Sequence, residues 1–303
     1  MKVEKLLCGA VDFHWHTGPS VISRKFDVVE ALKLADQYQM AAIVAKDHQF
    51  STAMVVPIVN KYFTKPGGCK VFSSIALNNS LGGLNLEALK TAYGMGAKVV
   101  WMPTISTENH FVKHSIGGLP FPKINIPDSK VDGIENEKPK FIKHLKDDGT
   151  VTDEIKAIVS YVARNPDLVL ATGHATAPEV DAVIQEALSL GVKKIVATHP
   201  GYMIEPSFGQ MEEWASRGVF LEIGVGTSCP GSDYYKFEIE DVIRLINLVG
   251  PERIVIDTDL GQKDNIHPIE GFIKFLSILY NKGIPESQLT QMIRENPRYL
   301  LDI

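Results

Sequence analysis

The chain has 303 residues, 45% hydrophobic and 22% charged, with a formal net charge of −5. That content supports a sizeable buried core and excludes disorder, collagen-like sequence and a small disulfide scaffold. No Lys/Arg-rich run accompanies the acidic balance, so nucleic-acid and anionic-membrane partners are not expected. Three scattered cysteines, Cys8, Cys69 and Cys229, form no C-x-x-C pair and read as reduced thiols of a cytoplasmic protein. The first ten residues carry too short an apolar stretch for a signal peptide, and no window approaches the length of a membrane helix.

In chain order, short apolar runs alternate with amphipathic segments. The runs lie at 10–14, 41–45, 70–75, 98–102, 168–171, 194–197, 219–223 and 253–256. Each is rich in β-branched residues and almost continuously apolar, as parallel strands covered on both faces are. Helical spacing marks 27–39, with Asp27 as its cap, and 178–190, which opens on a proline and stops at Gly191. It recurs at 239–249, 269–280 and 286–294. Eight strand–helix repeats predict a (β/α)8 TIM barrel, α/β in class, as one domain over 1–303. A doubly wound sheet is disfavoured by the strand number, and no G-x-G-x-x-G follows the first run. The rhythm breaks after the fourth strand, where 105–150 carries Gly117-Gly118 and prolines 120, 122, 127 and 139. Those residues forbid a long helix, and the insert emerges at the C-terminal mouth of the barrel, as a lid or an oligomer contact.

Five of the nine histidines, His14, His16, His48, His174 and His199, fall at the C-terminal ends of predicted strands. In a parallel barrel these ends converge on one mouth. His14 and His16 are two apart on a strand and therefore share a face. The eighth run ends Asp257-Thr258-Asp259, which puts Asp259 at the rim and Asp257 one layer deeper, where supporting hydrogen bonds are expected of it. Imidazoles and a carboxylate gathered at one mouth suit a zinc-like divalent cation. Lys46 shares a face with His48; it can neutralise an anionic substrate, carry a carbamate between two metals, or extend to solvent. His110 and His114, in the insert, could reach the mouth but are expected as surface histidines, and Trp15 as core.

Paired histidines on strand one, single histidines on strands five and six and an aspartate on strand eight resemble the amidohydrolase superfamily. The closing Asn296-Pro297-Arg298-Tyr299-Leu300 is similar to the N-P-x-x-L ending of its phosphotriesterase and TatD-like branches. The resemblance implies a metal-dependent hydrolase acting on an ester, lactone, amide or related bond of a small-molecule substrate. It implies one or two divalent ions, zinc first and manganese or iron as alternatives. His14, His16 and Asp259 would be ligands together with His174 or His199, and His48 joins the candidate set. The catalytic candidates are Asp259, as the base that activates water, His199 and Lys46. Strand four departs from the pattern, since no lysine or acid stands at its C-terminal end. The Lys46-Asp47-His48 step resembles the T-D-H element of the polymerase-and-histidinol-phosphatase family, which would make the substrate a phosphate ester. That family's terminal D-x-H is missing, because Leu260-Gly261 follows Asp259. A metal-dependent decarboxylase and a non-catalytic metal-binding barrel are the remaining readings, and a homo-oligomer is left open.

Overall fold

The computed structural model describes residues 3–115 and 140–303. Eight strands form one parallel sheet: β1 Val11–His16, β2 Ala42–Lys46, β3 Lys70–Ala76, β4 Ala97–Trp101, β5 Val169–Ala171, β6 Ile195–Ala197, β7 Phe220–Gly224 and β8 Ile254–Asp257. They are hydrogen-bonded in sequence order, the arrangement consecutive βα units produce. The seam between β8 and β1 is closed by His16 N donating to Leu260 O at 2.9 Å and Asp259 N to His14 O at 2.8 Å. The Asp12 carboxylate completes it, accepting from Thr258 N at 2.9 Å and Thr258 Oγ1 at 2.6 Å. The chain is a (β/α)8 barrel.

The helices are α1 Val28–Gln37, α2 Val56–Phe63, α3 Leu86–Gly94, α4 Glu108–Ser115, α5 Asp153–Arg164, α6 Ala177–Ser189, α7 Phe208–Ser216, α8 Val225–Ser228, α9 Ile239–Val249, α10 Pro268–Asn281, α11 Glu286–Thr290 and α12 Asn296–Leu301. Asp27 caps α1 as expected: its carboxylate accepts from Val29 N and Glu30 N, both at 2.8 Å, while Glu30 returns the favour to Asp27 N at 2.9 Å. In α9, Ile239, Val242, Leu245 and Ile246 are buried at helical spacing. The helix expected over 286–294 is instead α11, a wide turn over Gln291–Glu295, and α12. Pro297 near the start of α12 has no N–H to continue the preceding ladder. Asn296 Nδ2 donates to Pro251 O at 2.7 Å and to Ile254 O at 2.6 Å, pinning the chain end beneath β8.

Side chains alternate between two buried layers. Ile43, Ala45, Leu221 and Ile256 pack outward against helices, whereas Val44, Trp101, Phe220 and Val255 fill the barrel interior above Leu300 and Leu301. The inward rows continue upward into polar residues: Val44 to Lys46 and His48, Phe220 to Glu222, Val255 to Asp257 and Asp259. Trp15 is buried in the outer layer, as expected. Residues 116–139 of the expected lid lie outside the described residues; no described helix is long and apolar enough to cross a membrane.

Candidate metal centre

Strand β1 does more than alternate. Its pairing with β2 slips between Asp12 and Trp15, a bulge that adds one residue to β1. Val11 and Phe13 therefore lie in the barrel interior, while Trp15 turns outward. Above the bulge, His14 and His16 both face inward, their Nε2 atoms 3.2 Å apart. Asp259 Oδ1 lies 3.1 Å from each of those Nε2 atoms. Ligand atoms of a tetrahedral ion, held at about 2.0–2.2 Å, are spaced roughly 3.3 Å from one another, so the trio has the edge length such an ion imposes. Glu222 Oε1 accepts from His14 Nδ1 at 2.7 Å, which leaves Nε2 as the acceptor atom. His14, His199 and Glu222 form a second convergent group, with ligand atoms within 4.8 Å of one another.

Burial sets the charge state of this cluster. It holds His14, His16, His48 and His174 well below the usual imidazole range and His199 at about 3, with neighbouring cations adding to the effect. The imidazoles are therefore neutral and keep a lone pair for a cation. Burial raises the Asp259 carboxyl to about 7, opposed by Lys46 and Arg24. Glu222 and Asp257 are pushed well above the carboxylate range by the same desolvation.

The remaining predicted residues converge on the same cavity, about 50 Å³ in volume. His48 Nδ1 pairs with Thr104 Oγ1 at 2.9 Å, and its ring lies 4.8 Å from that of His16. The His174 ring is 4.8 Å from that of His199, and among the described residues His174 Nε2 and His199 Nδ1 have no hydrogen-bond partner. Counting alternation from Val169 and Val196, positions 174 and 199 would face outward. Gly173 at φ 70° and His199 at φ 26° turn the chain and bring both rings to the mouth. Asp259, at φ 44°, is likewise in the left-handed region, and such outliers persist where the surroundings over-determine them.

Two expectations are corrected, and for Lys46 the inward reading holds and the solvent alternative falls. Lys46 does not reach solvent: it is fully buried, because its row points inward, with Nζ 2.8 Å from His14 Nε2 and 3.9 Å from the Trp101 ring centre. Burial brings its amine down to about 8. Asp257 makes no supporting hydrogen bond with either oxygen, since its neighbours in the interior are acids and Lys46 rather than donors in reach. His110 and His114 are buried and line the cavity rather than the surface. They lie four apart on one face of α4, with rings 4.2 Å apart, and His110 Nδ1 is 2.9 Å from His174 Nδ1. Asn109 Nδ2, donating to His174 O and Met203 O at 3.0 Å, ties α4 across the mouth. Their i, i+4 spacing was a usable signal. So was Glu222, a lone acid within an apolar strand.

No curated protein matches the chain. Among solved structures it is similar to an amidohydrolase from Pseudomonas aeruginosa, at 13% identity and a TM-score of 0.63, over 99% of this chain and 98% of that one. An organophosphorus hydrolase from Deinococcus radiodurans aligns at 14% identity and a TM-score of 0.57, over 98% and 94% of the two chains. A 2,6-dihydroxybenzoate decarboxylase aligns at 13% and 0.53, over 97% and 98%. Identities this low establish the fold alone, a (β/α)8 barrel. A family model matches residues 9–222, from just before β1 to Glu222, and the chain thus belongs to DUF6282, a family of unknown function.

Proposed function

We propose that this protein is a metal-dependent hydrolase that cleaves an ester, lactone, amide or related bond in a small molecule. The observation that carries the proposal is the trio His14 Nε2, His16 Nε2 and Asp259 Oδ1, buried and 3.1–3.2 Å apart. These residues would hold the ion with His199, with His174 and His48 alongside. The nitrogen-rich donor set favours zinc, with manganese or iron as alternatives. A divalent ion held there supplies Lewis acidity and lowers the pKa of water. Glu222 keeps the His14 Nδ1–H engaged, so the ring presents Nε2. Asp259 has a second oxygen, Oδ2, 3.7 Å from His199 Nε2, and this oxygen takes the proton of the attacking water. Burial alone raises this carboxyl to about 7, and a cation bound at Oδ1 would favour the ionised form that can accept a proton. Lys46, and whichever imidazole of the cluster is not used in holding the ion, border the cavity with N–H donors that would steady a developing oxyanion.

The phosphate-ester reading is weakened at Asp47. Its Oδ1 accepts from Gln49 N at 2.8 Å and Phe50 N at 3.0 Å, and the residue does not line the cavity. A decarboxylase would use the same ligands and is separated by its product. Elemental analysis of protein purified without chelator tests the proposal: at least one transition-metal ion per chain is expected. His14→Ala/His16→Ala should lose it while keeping its circular dichroism. Metal-free wild type, or full retention in the double variant, refutes the site.

A further inference from the structure

The cavity wall facing the ligands contains a buried cation to which the hydrolytic chemistry assigns no role. Arg24 lies in the loop after β1, fastened to the loop after β8 by a bridge to Gln262 and by Lys25 N donating to Gly261 O at 2.7 Å. Its side chain is 4% exposed, and the nearest acid, Asp47 Oδ2, stands 3.9 Å from Nη2, beyond hydrogen-bond reach. Among the described residues, Nε, Nη2 and Asp47 Oδ2 have no hydrogen-bond partner. Arg24 nevertheless lines the same cavity as His16, Lys46 and Asp259. The Tyr202 hydroxyl on that cavity is unpartnered too.

A guanidinium is costly to bury unless its donors are used, and its planar fork matches a carboxylate. Burial brings Arg24 down to about 10, a measure of that cost, although Asp47, Tyr234 and Asp259 oppose the shift. Asp47 compensates its charge but not its hydrogen bonds, because Oδ2 stands 3.9 Å from Nη2 while Oδ1 is held by the backbone of Gln49 and Phe50. Asp259 faces the histidines, and ligation would take up its charge. The donors left on this wall are thus positioned for an anionic oxygen group brought by a ligand.

We propose that Arg24 is the specificity-determining residue of the site, binding the free carboxylate of a small anionic substrate whose reacting bond lies over His14, His16 and Asp259. This assignment rests on the hydrolase reading given above. A single guanidinium whose charge Asp47 already offsets in part suits a monoanionic carboxylate better than a doubly charged phosphoryl group.

The test is calorimetric titration of the full-length, metal-loaded chain with propionate, propionamide and methylphosphonate. Propionate should bind wild type more tightly than propionamide, which matches it in size but carries no charge. Arg24→Gln should weaken propionate by about 10–100-fold, the range of a charge-assisted hydrogen bond, and leave propionamide unchanged. Arg24→Lys should fall between, and Asp47→Asn should leave propionate binding intact or strengthen it. If Arg24→Gln does not fold, Arg24→Gln/Asp47→Asn, which removes both buried charges, carries the same comparison. Equal propionate affinity with and without Arg24 would overturn the proposal and make Arg24 the ion partner of Asp47 alone. Methylphosphonate binding as tightly as propionate, with the same dependence on Arg24, would overturn the choice of carboxylate. Metal content measured on every sample separates the two readings. A metal-free wild type refutes the hydrolase, whereas a metal-loaded protein indifferent to Arg24 refutes only this assignment.

Discussion

At the scale of single residues, the two acids of β8 and the segment after it do different jobs although they share a face. Asp259 touches both β1 imidazoles, whereas Asp257 lies one layer down with no hydrogen bond to either oxygen. Asp259→Asn keeps one coordinating oxygen but cannot take a proton near neutral pH. Turnover of a substrate found by screening should fall by about 10²–10⁴-fold, with part of the metal retained. Asp257→Asn should leave turnover within a few-fold; abolished activity there with an active Asp259→Asn would reverse the assignment. Lys46 offers a sharper test because its Nζ is 2.8 Å from the His14 atom that would bind the ion. A cation and an ammonium would compete for that lone pair, so beside a bound metal the amine would have to be neutral. Lys46→Met fills the volume without the nitrogen. It should retain metal and lose about 10²-fold in turnover, read from kcat together with metal content, as expected for one acid–base or oxyanion contributor. Unchanged kcat would remove Lys46 from the catalytic set.

At the scale of elements, the site is made by departures from regular strands. The β1 bulge puts Val11 and Phe13 inside the barrel and still leaves His14 and His16 at its mouth. Period-two alternation put the two histidines on one face, but it could not reveal that the strand changes phase beneath them. Gly173 does the equivalent for β5. It sits at φ 70°, and a Cβ there would lie 2.4 Å from Met102 O and Pro103 O. Gly173→Ala should therefore cost more than about 2 kcal/mol, from left-handed strain plus a clash with backbone that cannot rotate away. Thermal or urea denaturation measures it, and a loss below about 0.5 kcal/mol would show that the turn is not needed. Helix α4 is the other departure. Its paired histidines face the barrel, and Asn109 helps to anchor the helix over the mouth through a contact spanning 94 residues of sequence to Met203.

For the whole molecule, closure is a long-range matter. The seam joins residues 12–16 to 258–260, and the chain end is held by Asn296 under β8. Asn296→Ala leaves two carbonyls without their donor and should cost about 1–3 kcal/mol, measured by denaturation; no loss would mean that water replaces the amide. Dialysis against a chelator should lower Tm, and added zinc should restore it, because an ion that binds only the folded barrel stabilises it by mass action. A Tm indifferent to both would count against a resident metal. The barrel was legible without coordinates because each β-strand declares itself within a few residues, through apolar continuity, caps and glycine stops. The convergence of His14, His16, His48, His174, His199 and Asp259 was legible for the same reason: parallel strands bring their C-terminal ends to one mouth. Burial of Lys46, the role of Glu222 behind His14, the inward turn of His110 and His114, and the unpaired edge of Arg24 were decided only in three dimensions. Each depends on which neighbour lies across the barrel, and that neighbour is set by closure between residues far apart in the chain rather than by any local pattern.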